Sequence, residues 1–377
     1  MPFVEALELD AAARLVNYST FGSNFTYKFG ARYTPIRDVT VRGTYSTAFR
    51  APNIGELFLG ASETDASATD PCANLASVST ATAAQCRKTG VTGSGSGDTG
   101  VQELVRNGGN ANLQAETAKE LTVGVVIQPS MVKNLSLTVD YYNIAIDNAI
   151  ATIGAANILN GCYNNGNDQY CALISRNNAG TIQAINDVNQ NTAQRSTAGL
   201  DFAVRYGLPT NVGRFGFSFD GNWLQKYDST TKLATGDQTI HAKDNYDLLL
   251  VLPSFRANAG LDYSLSGFTA GIVGRYVGGF DECSNPGDPT TSAGGLCTID
   301  NNTQNQFRRR VSAYFQTDLH VGYAMNTAVG KTSIFAGISN LFDVNPPYVY
   351  SAALGSSDPS AYDYLGRYVY ARLQQKF

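Results

Sequence analysis

The chain has 377 residues and a formal charge of −4, with 43% hydrophobic residues but only 15% charged ones, against roughly 25% charged in ordinary soluble domains. That is a thin coat of charge for a body bathed in water. Its longest aliphatic run, 248 to 252, falls far short of the roughly 18 apolar residues of a membrane helix, so helical spanning is excluded.

Twelve segments alternate apolar with polar residues, and each is read as a strand: 4–18, 23–34, 39–49, 117–127, 134–146, 192–207, 214–227, 253–265, 267–279, 311–324, 331–341 and 366–377. In the second, Phe25, Tyr27, Phe29, Ala31 and Tyr33 oppose Thr26, Lys28, Gly30, Arg32 and Thr34. In the third, Val39, Val41, Gly43, Tyr45, Thr47 and Phe49 oppose Thr40, Arg42, Thr44, Ser46 and Ala48. The same division recurs at Phe215, Phe217, Phe219 against Gly216, Ser218, Asp220, and at Phe255 to Tyr263 against Arg256 to Asp262. Side chains switch face at every strand residue, so one face of each strand is apolar and the other wet. Most segments have the roughly 9 to 11 residues that carry a tilted strand across a bilayer.

A soluble β-sandwich also alternates, and the connections separate the two readings. Short turns (35–38, 128–133, 208–213, 265–267, 325–330) take turns with long loops (50–116, 147–191, 228–252, 280–310, 342–365). In an up-and-down barrel successive connections emerge at opposite ends, so all the long loops fall on one side, as in outer-membrane barrels. The expected fold is therefore all-β, an antiparallel transmembrane β-barrel portion of about twelve strands. Val41, Phe217, Leu261 and Leu319 are expected to face lipid, and Arg42, Asp220, Asp262 and Asp318 the interior. Tyr33, Trp223, Tyr227 and Tyr276 near strand ends suit interfacial girdles.

All six cysteines lie in the long loops, as Cys72 with Cys86, Cys162 with Cys171 and Cys283 with Cys297. Six cysteines allow fifteen pairings, and neighbour pairing within each loop needs no contact between loops, so three local disulfides are expected, in an oxidising compartment. They would restrain loops read as lacking cores. No Cys-x-x-Cys spacing or nearby His suggests a metal site. His241 falls in a loop and His320 on a polar strand face, and no serine motif marks a nucleophile, so no enzyme is expected. The run from Gly93 to Gly100 reads as a flexible linker within a loop. Loop aromatics Tyr163, Tyr170, Tyr246, Phe280, Tyr348, Tyr350, Tyr362 and Tyr364 are candidates to stack on a ligand. Arg308, Arg309 and Arg310 are read as contacts for lipopolysaccharide phosphates, with attraction of an anionic ferric complex as the alternative.

Three stretches resemble TonB-dependent outer-membrane receptors. Tyr45-Ser46-Thr47-Ala48-Phe49-Arg50-Ala51-Pro52-Asn53-Ile54-Gly55-Glu56-Leu57-Phe58 is similar to that family's Phe-Arg-Ala-Pro box and the Glu-Leu-Phe that follows. Asn110-Ala111-Asn112-Leu113 leading through Ala115-Glu116-Thr117 resembles its Asn-Pro-Asn-Leu segment, with Ala111 in place of proline. Ser339-Asn340-Leu341-Phe342-Asp343 resembles the end of its penultimate strand, and the terminal Phe377 resembles the signal read by the barrel-assembly machinery, although Gln375 occupies a position expected to be apolar.

The resemblance implies a bacterial outer-membrane protein and a barrel of about 22 strands with a plugged lumen, of which residues 1–377 would be the C-terminal barrel region. Met1 to Glu8 shows no basic, apolar and small-residue succession of a signal peptide, so the plug and first strands are expected to precede this stretch. The implied function is energy-coupled import of a scarce substrate, a ferric siderophore, an oligosaccharide or similar, with the TonB complex acting through the plug. Haem is disfavoured, since the family's haem receptors carry a His between the two boxes and Pro52 to Gly109 has none. The alternative is a complete passive channel or surface-binding barrel of twelve strands. No cofactor and no nucleic-acid partner are expected.

Overall fold

The computed structural model describes residues 4–234, 236–247, 250–282, 309–349, 352 and 357–377. Twelve strands form one antiparallel wall in chain order: β1 (Ala6–Tyr18), β2 (Gly22–Ile36), β3 (Val39–Arg50), β4 (Glu116–Ile127), β5 (Leu135–Ala151), β6 (Gln190–Thr210), β7 (Gly213–Leu233), β8 (Phe255–Leu265), β9 (Phe268–Val277), β10 (Tyr314–Thr327), β11 (Gly330–Ser339) and β12 (Tyr368–Lys376). Gly236–His241 folds back on the far end of β7 as a thirteenth member. Among the described residues no pairing joins β1 to β12, so the wall is open along both edges.

Alternation in sequence becomes rows in space. Leu7, Tyr33, Val41, Val125, Val139 and Phe202 are successive partners across β1 to β6. Tyr206, Phe217, Leu261, Ile272, Leu319, Ile338 and Val369 continue from β6 to β12. These large apolar side chains stand open, with Phe217 42% and Leu261 47% exposed, as a surface made for hydrocarbon would be. Charges gather on the other face. Arg42 donates to both oxygens of Asp140 at 2.9 and 2.5 Å, Arg205 reaches Asp220 at 2.6 Å, and Arg275 bonds Asp318. Half-exposed pairs of this kind contribute at most about 1 kcal/mol each, so they tidy the polar face rather than hold the wall.

Two glycines make these long reaches possible. Arg42 and Asp140 lie on β3 and β5, with Gly124 of β4 between them. A Cβ on Gly124 would sit 1.9 Å from Asp140 Oδ1, where no side chain fits. Gly271 does the same between Asp262 and His320, which approach to 3.7 Å.

Aromatic clusters mark two levels. At one, Tyr18 stacks on Phe21 at 4.6 Å with Phe49 beside them, and Phe255 lies 6.1 Å from Tyr276. At the other, Phe215, Tyr263 and Phe268 follow one another at 5.0 and 6.2 Å. On β7 the levels are Trp223 and Phe215, about 27 Å of strand or about 21 Å of height at a tilt of about 40°, close to the roughly 25 Å apolar band of outer-membrane barrels. Tyr227 does not join Trp223: the register shift at Ala198 and Gly199 advances β7 by one residue and moves Tyr227 to the opposite face.

Strands β5, β6 and β7 run to Ala151, from Gln190 and to Leu233, beyond the expected 134–146, 192–207 and 214–227. Their extensions rise into the long-loop end, where no bilayer imposes alternation. β10 starts at Tyr314 rather than 311, because Arg309–Val311 leaves the wall to pair with Phe280–Glu282.

The loops do have cores, contrary to the expectation. The loops after β3 and β5 share a four-stranded sheet of Ser62–Ser67, Gln102–Asn107, Ile182–Asn186 and Ile174–Arg176, with the middle pair parallel. Helices Thr80–Lys88 and Ala155–Tyr163 pack beside it around Cys86, Val91, Ile158, Leu159, Tyr163 and Ile185, all at most 1% exposed. Neither loop carries enough apolar residues alone, and pooling them closes a core. A second core joins Val251, Phe280, Val311, Val349 and Tyr362 from the last three long connections to Tyr314 at the start of β10.

If the apolar face meets lipid, Leu261→Arg should destabilise the membrane-inserted wall by about 2–4 kcal/mol, while Asn258→Arg on the polar face should change it by less than about 1 kcal/mol. Urea titration in bilayers measures both, and equal costs would contradict the face assignment.

Candidate functional site

At the long-loop end the wall is tied to a crown by a knot of charge. Arg50, the last residue of β3, donates to Glu116 at 2.6 and 2.7 Å and to Glu56 at 2.9 Å through two nitrogens. Pro52 ends the strand, Asn53 then caps a single helical turn, Ile54–Phe58, in a capping box with Glu56, and Glu56 O accepts the Asn110 N–H at 2.8 Å. Glu116 also takes the Ile150 N–H from β5. One guanidinium thus gathers the exit of β3, the entry of β4 and, through Glu116, the top of β5. At the far side, Asn340 and Asp343 adopt φ of 52° and 55°. The Asn340 side chain bonds the Val344 N–H and carbonyl, its N–H reaches Asp318, and Asp343 accepts from Arg367 N–H. That turn lays Phe342, 66% exposed, on the apolar side.

The first crown core is stapled electrostatically and covalently. Asp70 and Arg176 form a buried bidentate pair at 2.6 and 2.7 Å. Arg176 also donates to Tyr163 Oη at 2.9 Å and lies 5.0 Å from that ring's centre. Burial opposes the charge of Asp70, but Arg176, Ser96 Oγ and the Cys72 N–H outweigh it and hold the carboxyl below its ordinary value. Disulfides join Cys72 to Cys86 and Cys162 to Cys171. Cys283 and Cys297 lie outside the described residues. Glu103 has no such support: it is 4% exposed, its Oε1 has no partner among the described residues, and burial with Asp98 and Asp70 nearby raises its pKa from 4.5 to about 7.

A profile of the family described as "TonB dependent receptor-like, beta-barrel" matches residues 1–341. The chain belongs to the TonB-dependent receptor β-barrel family. Among solved structures, a point mutant of the ferric enterobactin receptor PfeA of Pseudomonas aeruginosa matches at TM-score 0.64 and 17% identity, over 100% of this chain and 43% of that one. The siderophore receptor PirA of Acinetobacter baumannii matches at 0.60 and 16%, over 99% and 44%. The chain therefore spans less than half the length of these receptors, and likeness at this identity speaks for the fold. Among curated proteins none matches. Receptors of this family are outer-membrane proteins.

Within this TonB-dependent receptor barrel, the family-like motifs are joints. Phe49 joins the aromatic cluster, Arg50 is the clamp, Ala51 and Pro52 make the exit, and Leu341 pins its turn through its N–H to Thr317 O. Phe377, after β12, is 99% exposed. The aromatic candidates divide. Tyr163, Tyr170, Phe280 and Tyr362 are core residues, 0–6% exposed, because pooled loops need large side chains to fill their centres. Tyr246 is half-buried, 6.4 Å from Phe280, Tyr348 and Tyr364 are exposed, and Tyr350 lies outside the described residues. The Gly93–Gly100 run is no free linker: Ser96 and Gly97 N–H groups bond Cys72 and Ala73 carbonyls. Arg309 turns inward to Glu282, Arg310 bonds Asp281, and Arg308 lies outside the described residues. Sequence reasoning missed Asp70, Arg176 and Glu103, which no local motif marks.

Mass mapping without reductant should recover the Cys72–Cys86 and Cys162–Cys171 peptides, and any cross-loop pair would contradict this crown. Glu103 sets a pH dependence. Its folded pKa lies above the ordinary 4.5, so its contribution to crown stability is complete below 4.5 and is lost as pH rises through about 7. Protection factors of the Gln102–Asn107 amides, taken relative to the intrinsic exchange rate at each pH, should therefore fall over that window in the native chain and stay flat in Glu103→Gln; identical profiles would contradict the assignment.

Proposed function

We propose that this chain forms about half of the wall and much of the outer rim of an outer-membrane receptor that imports a scarce substrate, with the TonB complex driving a plug supplied by the rest of that receptor. The observation that carries the reading is the open twelve-stranded wall. Unpaired edge groups facing hydrocarbon cost several kcal/mol each, so β1 and β12 call for further strands, and a barrel of about 22 would satisfy them. The polar, charge-paired face suits a water-filled or plugged lumen.

The crown supports a role in capture. Tyr348 and Tyr364 are open aromatic surfaces at the rim, and Tyr246 is a half-buried third. Ferric siderophores lead the substrate classes, because siderophore receptors share the fold over nearly the whole chain; an oligosaccharide is the next. Phe377 would serve the barrel-assembly machinery, and the apolar face would meet membrane lipid. No catalytic step enters this reading.

Exported by itself into cells lacking the parent receptor, the chain should give no TonB-dependent accumulation of a ferric catecholate or an oligosaccharide. Joined behind the plug and first strands of a related receptor, it should restore accumulation that stops when TonB or the proton gradient is removed. Energy-dependent uptake by the chain alone, or none by a correctly inserted fusion, would contradict the proposal.

A further inference from the structure

The sequence contains three Asn-Gly steps, Asn107–Gly108, Asn160–Gly161 and Asn165–Gly166. Such a step can react with itself. The glycine nitrogen adds to the asparagine Cγ, an approach that the Cβ of any other residue would crowd. It needs that nitrogen unbonded, the side chain free to swing, and water at hand. The fold grants these conditions unequally.

Two of the steps are closed off. Asn107 ends the crown strand Gln102–Asn107, its side chain donates to Thr64 Oγ1 at 2.9 Å, and Gly108 is buried. Asn160 and Gly161 lie inside helix Ala155–Tyr163, where the glycine N–H belongs to the helical ladder. Asn160 Oδ1 accepts from Asn164 Nδ2 at 2.8 Å, and the Tyr170 ring lies so close to Gly161 that a Cβ there would come within 1.8 Å of it.

The third step is open. Asn165 and Gly166 follow the end of that helix, and both are exposed. The Asn165 and Asn167 N–H groups donate to the Asn160 and Gly161 carbonyls at 3.2 and 2.9 Å, but among the described residues the Gly166 N–H between them bonds nothing. Gly166 has a φ of 67° and empty space where a Cβ would stand. One long bond, 3.2 Å from Nδ2 to the Asn160 carbonyl, holds the Asn165 side chain. The base of this tip is fixed by the Cys162–Cys171 disulfide and by Tyr163 and Tyr170, 1% and 6% exposed, so the tip meets the conditions without any opening of the crown.

We propose that Asn165 is a self-modification site of the folded crown, deamidating through a cyclic imide with Gly166. The Gly166 nitrogen bonds to Asn165 Cγ, the Cγ–Nδ2 bond breaks, and ammonia leaves with the proton from that nitrogen. Water then opens the imide at either carbonyl, leaving aspartate or isoaspartate at position 165, and no oxidant or reductant is consumed. Either product loses the bond to the Asn160 carbonyl, because a carboxylate has no proton to donate. Each also sets a new negative charge three residues from Asp168, so the crown surface drifts negative with time.

Peptide mapping over time tests this on the full chain, folded in mild detergent and held in neutral buffer made with heavy-oxygen water. Position 165 should lose ammonia, take up one heavy oxygen and appear as both aspartate and isoaspartate, the latter being the mark of the imide, while Asn107 and Asn160 stay intact. In the reduced, denatured chain all three steps should react at comparable rates, because only the fold distinguishes them. On isoelectric focusing the folded native chain should drift acidic and Asn165→Gln should hold its position. Asn165 surviving in the folded chain while it reacts in the denatured one would overturn the proposal. So would equal rates at all three steps in the folded chain, or aspartate without isoaspartate.

Discussion

Hydrocarbon offers no hydrogen bonds, and the architecture follows from that one constraint. Every backbone N–H and C=O inside the bilayer must find a protein partner, which leaves helices and laterally paired strands as the spanning options. With no apolar run long enough for a helix, this chain meets the constraint with a continuous antiparallel ladder from β1 to β12. Pairing aligns residues of equal parity across neighbouring strands, so a period-two sequence produces the row from Tyr206 to Val369 on one face and the charge pairs on the other. The same constraint makes the two open edges the least satisfied part of the molecule.

Above the ladder water returns and the rules relax. There the chain builds two small globular cores from loops, and each must be anchored to strands that keep their own register. Arg50 does this with two carboxylates from separate segments, and the Asp70–Arg176 pair does it inside the crown. Removing one member of a buried pair such as the latter leaves an uncompensated charge, at a cost of about 3–5 kcal/mol, whereas the half-exposed pairs on the wall are individually dispensable. Charge pairing that ties separate segments together is thus concentrated at the rim. Under the proposed capture function a rim held in shape would help, since ordering loops on binding weakens affinity.

The wall was legible in the sequence because alternation there is enforced by solvent on both faces. Phe215, Phe217 and Phe219 against Gly216, Ser218 and Asp220 leave no other register. The upper ends of β5 to β7 were not legible, since above the bilayer residues such as Ile144 and Ile146 no longer obey that phase, and the bulge at Ala198 reverses it for Tyr227. The crown cores were hidden for another reason. Val91 and Val105 come from one loop and Ile158 and Ile185 from another, and nothing local in either announces the partnership. Tyr163 shows the consequence: nothing local in its sequence announces that Arg176 and Thr89 bond its hydroxyl inside a core. The Cys72–Cys86 and Cys162–Cys171 pairs could be read because each closes within its own loop.

The central claim, that a period-two ladder separates a lipid face from a polar face, is tested most directly by spin labels placed singly at each position from Phe215 to Trp223 of β7 in bilayers. Collision with oxygen, which concentrates in lipid, should peak at 215, 217, 219, 221 and 223, and collision with a polar nickel chelate at 216, 218, 220 and 222. A profile without that two-residue period, or with its phase reversed, would contradict the account.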